Sequence, residues 1–309
     1  MDTPKPNALV VLGPTAAGKT ALGVALAAAT GGEVISADSR QVYRGLNIGS
    51  GKDLAEYERD GLRIPYHLID IVDLDQEFNV FSYQKRFFEC FVDLREREVQ
   101  VVVVGGTGLY LEAVLKGYRM VDVPRDPILR KELSSYTDDE LAQKLRTLKP
   151  KLHNTTDVNN RDRILRAIEI EIYTQHHEPE PTPPLHPLII GTRWDRKKLH
   201  RRIEHRLRER LRADMIDEVR GLIDQGVSVE KLRFLGLEYR FIAEYLQGEI
   251  SNEDELFTKL NSAIRNFAKR QETWFRRMER RGATIHWIDE ANAEQALDLV
   301  RQHGIGIRA

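Results

Sequence analysis

In the first third of the chain, apolar residues come in short unbroken runs that alternate with amphipathic stretches. The runs at 8–12, 33–36, 67–71 and 99–104 predict strands, and the stretches at 19–29, 82–97 and 108–116 predict helices. Strands and helices in alternation predict a parallel, doubly wound sheet. The four valines at 101–104 show no polar alternation, as expected of a central strand covered on both faces. The pattern changes near Tyr118. From 122 to 176 only helical periodicity is present, at 126–135, 137–148 and 160–174. The segment EPEPTPPLHP at 178–187 cannot continue a helix, because proline lacks the amide proton and clashes with the preceding turn. The apolar run at 188–192 predicts a strand returning to the sheet. A long basic helix over 196–225 follows, then helices over 237–247, 252–260 and 261–281, and an edge strand at 285–288. The predicted fold class is α/β: a parallel sheet flanked by helices, divided into residues 1–120 and 187–309, with an all-helical insertion domain over 121–186.

The first strand runs directly into Gly13, Pro14, Thr15, Ala16, Ala17, Gly18, Lys19 and Thr20, which fit G-x-x-x-x-G-K-[ST]. A strand, a glycine-bearing loop and a helix N-terminus in this order aim backbone amides at one point, where anions bind. Lys19 adds a point charge, and the Thr20 hydroxyl can hold Mg²⁺. The motif predicts a P-loop NTPase-like core that binds a polyphosphate, without specifying a nucleotide or a kinase reaction.

In open parallel sheets, ligands bind beyond the carboxyl ends of the strands. The second strand ends in ISADSRQVY at 35–43, which places Asp38 on the rim of the P-loop. A carboxylate there can accept a proton or bind Mg²⁺ through water; it can equally cap a following helix. The fourth strand runs into Gly105, Gly106, Thr107 and Gly108, where many P-loop NTPases carry an aspartate for Mg²⁺. Its absence argues against an ordinary ATPase or GTPase. Glycines admit close approach of a large ligand, and the Thr107 hydroxyl can bond a phosphate or a base.

Charge sharpens the picture. The net charge of −1 conceals a segregation: residues 1–100 hold 11 basic against 15 acidic side chains, whereas 193–220 hold 11 against 6 and 265–281 hold 7 against 2. Basic clusters in a neutral chain predict a localised polyanion-binding face, unless they are simply solvated helix faces. The single cysteine, Cys90, permits no intrachain disulfide and no cysteine-based zinc site, which fits a cytoplasmic protein. The N-terminus does not read as a signal peptide, and no apolar stretch approaches the length of a membrane helix.

Taken together, GPTAAGKT at 13–20, ISADSRQVY at 35–43, PYHLID at 65–70, GGTGLYL at 105–111, NNRDRILRAIEI at 159–170 and AKRQETWFR at 268–276 resemble the tRNA dimethylallyltransferases, or isopentenyltransferases, of bacterial type. The motifs lie in order over nearly the whole chain. The resemblance implies transfer of a dimethylallyl group from dimethylallyl diphosphate to N6 of the adenosine immediately 3′ of the tRNA anticodon. It implies that the P-loop holds the diphosphate with Mg²⁺, that Asp38 is the general base, and that Thr107 contacts the adenosine or the transferring group. It further implies tRNA contacts at Asp38, Ser39, Arg40 and Gln41, and at Arg130, Asp162, Arg163, Ile164, Leu165 and Arg166 in the insertion. Near the C-terminus it implies contacts at Lys269, Arg270, Gln271, Trp274 and Arg276. Without the resemblance, the last group reads better as an amphipathic helix with Trp274 and Phe275 in the core, and both can hold together. The implied protein is a monomer needing no obligate protein partner. Two segments depart from the family: RFLGLEYR at 233–240 stands where many members carry a Gly-Tyr-Lys-Glu-like sequence, and Asn266-Phe267 where Thr-Arg-x-Tyr is common.

Three other readings share parts of this pattern. A P-loop small-molecule kinase leaves the insertion and the basic C-terminal half unexplained. An adenylate isopentenyltransferase shares the chemistry but has less use for the basic half. A non-catalytic RNA-binding module does not require intact Lys19, Thr20 and Asp38.

Overall fold

A computed structural model describes residues 4–59, 61–149 and 160–308. The elements run β1 (Ala8–Leu12), α1 (Lys19–Thr30), β2 (Gly32–Ala37), a small hairpin of β3 (Glu58–Arg59) and β4 (Leu62–Arg63), β5 (Tyr66–His67), α2 (Val80–Glu96), β6 (Gln100–Gly105) and α3 (Gly108–Leu115). Three helices follow, α4 (Pro127–Glu132), α5 (Asp138–Leu148) and α6 (Arg161–Thr174). The chain then re-enters the sheet as β7 (Pro187–Arg193). It ends with α7 (Arg196–Arg212), α8 (Met215–Asp224), α9 (Val229–Phe234), α10 (Leu237–Leu246), α11 (Glu253–Arg280), β8 (Ile285–Asp289) and α12 (Ala293–Gln302).

The main sheet is ordered β5-β2-β6-β1-β7-β8 and every pairing in it is parallel. The alternation of side chains along a strand explains how it is covered. Val10, Leu12, Ile35, Val101 and Val103 point to one face and pack with Phe87, Phe88 and Phe91 of α2. Leu9, Val11, Val34 and Val102 point to the other and pack with Leu22 and Leu26 of α1 and Val300 of α12. Two buried faces are what the uninterrupted valines require. A second helical layer, α7 to α11, packs around Val42, Tyr43 and Leu46. Buried Glu112 of α3 receives Arg277 at 2.7 Å and Arg281 at 2.9 Å, which ties α11 to the sheet's helices.

The chain forms two compact units, Met1–Gly117 with Pro183–Ala309, and Tyr118–Thr182. The second is all-helical in its described residues, with a core of Leu133, Leu141, Leu145, Ile164 and Ile168. Asn159, which opens the motif at 159–170, lies outside the described residues.

Four expectations are corrected. The strand expected at 67–71 stops at His67, since the backbone turns left-handed at Leu68 (φ 61°) and Asp70 (φ 55°). The basic helix expected over 196–225 is two helices, broken where Asp214 adopts φ 64°. The helices expected at 252–260 and 261–281 are one helix of 28 residues, α11. The expected helix at 126–135 is α4 followed by a 3₁₀ turn at Leu133–Ser135.

Candidate active site

Strand register places the site. Leu12 and Ala37 both pair with Gly105, and Leu12 also pairs with Gly191, so β1, β2 and β6 end level with one another and beside Gly191 of β7, which runs on to Arg193. The next residues, Gly13, Asp38, Gly106 and Thr192, therefore form a common rim at the carboxyl edge of the sheet. A cavity of about 580 Å³ opens there, and Lys19, Thr20, Asp38, Arg40, Thr107 and Trp274 are among its walls.

The P-loop is held by residues far away in sequence. Thr15 N–H donates to Gln271 Oε1 at 2.8 Å, and Gln271 Nε2 donates to Gly106 O at 2.8 Å. Arg206 donates to the Thr15 hydroxyl. Arg202 Nε donates to Ala16 O at 2.9 Å and its guanidinium lies 4.4 Å over the Trp194 ring, whose Nε1 donates to Ala17 O at 3.1 Å. Lys19 Nζ donates to Pro14 O at 2.7 Å. Burial, then the Arg206 charge, lowers the Lys19 ammonium to a pKa of about 8, against the opposing pull of Asp38 and Glu56. Burial, then Arg210, lowers Arg206 to about 10. Two desolvated cations against a loop of backbone amides form a strong anion site, because each gains when a polyanion arrives.

Asp38 caps no helix. Its Oδ1 accepts from Arg40 N–H at 2.8 Å and closes a tight turn. Ser39 N–H donates to Thr107 Oγ1 at 3.1 Å, which fixes the β2 turn against the β6 turn. Gln41 braces the same turn, accepting from Ser36 Oγ at 2.9 Å and donating to Gly51 O at 3.1 Å. The loop carrying Gly49 and Gly51 is anchored by Glu218, which accepts from Ile48 N–H at 2.7 Å and from Tyr239 Oη at 2.9 Å.

The glycines after β6 leave room for α11 rather than for ligand alone. A Cβ on Gly106 would lie 2.4 Å from Gln271 Nε2, and one on Gly108 would lie 2.4 Å from Trp274 Cδ1. An aspartate at 106 would displace the Gln271 side chain from its bonds to Thr15 and Gly106.

Lys19, Thr20, Gly51 and Arg206 also line a second cavity of about 440 Å³, with Arg201, Arg202 and His205 on its wall. The P-loop lysine is thus reached from two sides. None of Arg202, Arg206 and Trp194 was singled out by the sequence reading, although the charge cluster over 193–220 contains all three.

The remaining predicted residues divide. Arg270 and Trp274 line the larger cavity with Gln271, while Lys269 and Arg276 are exposed on α11. Gln271 is buried and bonded to the P-loop, so its side chain is spent on positioning rather than offered to a large ligand. Arg130 belongs to the helical unit, where it pairs with Glu169 at 2.6 Å and Asp162 at 2.6 Å. Arg166 also pairs with Glu169, at 3.1 Å. Ile164 and Leu165 are core side chains of that unit, which removes them as direct contacts; Asp162 and Arg163 are exposed.

Gln271→Ala removes one bond to a loop amide and one to a carbonyl. Leaving such partners unsatisfied costs about 1–3 kcal/mol each. Diphosphate affinity, measured by calorimetry, is expected to fall roughly tenfold. An unchanged affinity would show that the P-loop holds its shape without α11.

A sequence model of the family described as IPP transferase matches residues 41–278. The chain is 55% identical to tRNA dimethylallyltransferase 1 of Geotalea uraniireducens over 97% of this chain and 98% of the relative. It is 56% identical to tRNA dimethylallyltransferase 2 of Syntrophotalea carbinolica over 92% and 95%. Among solved structures, a full-length tRNA isopentenylpyrophosphate transferase from Bacillus halodurans is similar with a TM-score of 0.68 and 33% identity, over 96% of this chain and 94% of that one.

Proposed function

The chain belongs to the IPP transferase family, and on that premise we propose both the reaction it performs and the residues that carry it out. The protein is a prenyltransferase that transfers a dimethylallyl group to tRNA. The proposed donor is dimethylallyl diphosphate and the proposed acceptor is N6 of the adenosine immediately 3′ of the anticodon. One observation carries this reading: a single cavity joins the P-loop lysine to the Asp38 carboxylate and the Thr107 hydroxyl.

In the proposed mechanism the P-loop amides, Lys19 and Arg206 hold the diphosphate. The donor's C1–O bond breaks, with both electrons leaving on the diphosphate. N6 forms the new C–N bond, and one N6 proton passes to Asp38. A positioned base supplies about 10²–10⁴-fold, and fixed cations around the leaving group act where charge develops. The Thr107 oxygen accepts the Ser39 amide, and its proton, engaged only in a long 3.5 Å bond to Ser39 Oγ, can turn to the adenine or the donor. An anticodon-loop base must leave its stack to reach such a pocket.

Magnesium fits the donor set, through the Thr20 hydroxyl and, by way of water, Asp38. Among the described residues no group of three or more His, Cys, Asp and Glu forms a cage, and a cation that keeps several waters and binds phosphate oxygens needs none. When bound, it supplies further charge stabilisation to the departing diphosphate.

The helical unit, through Asp162 and Arg163, and α11, through Lys269, Arg270 and Arg276, are proposed to hold the anticodon stem-loop. The protein is proposed to act as a monomer in the cytoplasm. Among the described residues no helix is long and apolar enough to cross a membrane.

The test is a transfer assay with dimethylallyl diphosphate and Mg²⁺ and three acceptors: unmodified tRNA with adenosine 3′ of the anticodon, the same tRNA with guanosine there, and AMP. Prenylation of the first alone is expected. Prenylation of AMP would move the protein to the adenylate class, and no transfer would overturn the reading.

A further inference from the structure

Scattered exposed apolar side chains are ordinary on a protein surface. Both exposed phenylalanines among the described residues, however, line the cavity that contains Asp38: Phe234 is 80% exposed and Phe267 is 36% exposed. Leu109, 40% exposed, lines it as well. Phe234 ends α9 and Phe267 lies on α11, so two separate elements each contribute a phenylalanine to the same cavity. Arginines surround them. The Arg270 guanidinium lies 5.7 Å from the Phe267 ring centroid. Arg233 and Arg240 line the same cavity, paired with Glu249 and Glu244, and the Arg40 side chain reaches Gly236, two residues beyond Phe234.

We propose that Phe234 and Phe267 form a stacking lip for the unpaired nucleotides on either side of the adenosine that enters the pocket. This rests on the tRNA reading above. Flat rings interleaved with guanidinium groups suit a single strand, because bases stack on the rings while phosphates meet the charges. The five-carbon donor chain is a poor occupant for Phe234, since a small apolar group gains little from a side chain that leaves most of its surface in water. The lip acts on the neighbours of the target base and leaves the diphosphate site untouched.

The experiment uses full-length protein and an anticodon stem-loop RNA, with Phe234→Ala, Phe267→Ala and Phe234→Tyr. Alanine at either position is expected to lower kcat/KM for the RNA by about 5- to 100-fold, with the KM for dimethylallyl diphosphate unchanged, and tyrosine is expected to restore it. With an abasic site beside the target adenosine, wild type and the alanine variant facing that site should converge. A 2-aminopurine at the same place should be quenched on binding wild type and not on binding that variant. The proposal is overturned if the alanine variants transfer at the wild-type rate, if their defect survives unchanged on both abasic RNAs, or if the donor KM rises instead. Failure of wild type to modify the stem-loop at all would sink the tRNA reading itself, a result distinct from any of these.

Discussion

Asp38→Asn is expected to lower kcat for dimethylallyl transfer by about 10²–10⁴-fold, the worth of a positioned base, and to leave tRNA and diphosphate binding within a few fold. Asparagine is the informative replacement. Its side-chain oxygen can still accept the Arg40 amide that closes the turn, so the β2 turn and its bond to Thr107 survive while the proton acceptor is lost. Alanine would remove both. Single-turnover transfer beside tRNA-binding titrations separates the two effects. Turnover within about threefold of wild type would remove Asp38 from the proton's path.

Lys19→Ala is expected to cost about 10²–10³-fold in kcat, as loss of one preorganised charge-stabilising donor does, and to raise the donor KM as well. The same residue predicts a pH dependence. In the free protein Lys19 titrates near 8, lowered first by burial and next by Arg206. A bound diphosphate favours the ammonium and raises that pKa. Below about pH 8 the lysine is already charged and donor affinity is at its full value. As pH rises through that value, binding must take up a proton, and affinity falls until the pKa of the complex is passed. Calorimetry in buffers of different ionisation enthalpy reads the proton directly. Lys19→Arg stays charged across this range and is expected to flatten the profile. A wild-type affinity constant from pH 7 to 9.5 would show that Lys19 does not carry the diphosphate's charge.

What could be read from the sequence depended on how local its cause was. The solid run at 8–12 announced a strand, and the run at 101–104 a central one, because unbroken valines suit burial on both faces. The P-loop, Asp38 and Thr107 were legible because each follows a strand directly. The supports of the P-loop were not. Gln271 reaches Thr15 across 256 residues and Arg206 reaches it across 191, separations that no local pattern records. The break between α7 and α8 was hidden because an aspartate, not a glycine or proline, takes the left-handed conformation there. In α11 the opposite error arose: Asn261 reads as a helix boundary but is buried within a continuous helix. Gln271 shows a subtler limit. Its motif marked it as important, and only the fold reveals that its side chain is bonded to the P-loop and to Gly106.

The order of strands also bears on how the protein is made. β1 lies between β6 and β7, and all five of its residues are completely buried in the finished molecule. A ribosome delivers β1, β2 and β6 within the first 105 residues, but β7 starts only at Pro187, after the whole helical unit has been synthesised. Throughout that interval the nascent chain carries an apolar strand with one hydrogen-bonding edge unmet, the kind of surface that pairs with other chains. The insertion thus lengthens the window in which that edge waits for its partner, a delay set by the order of translation and not by the stability of the final fold.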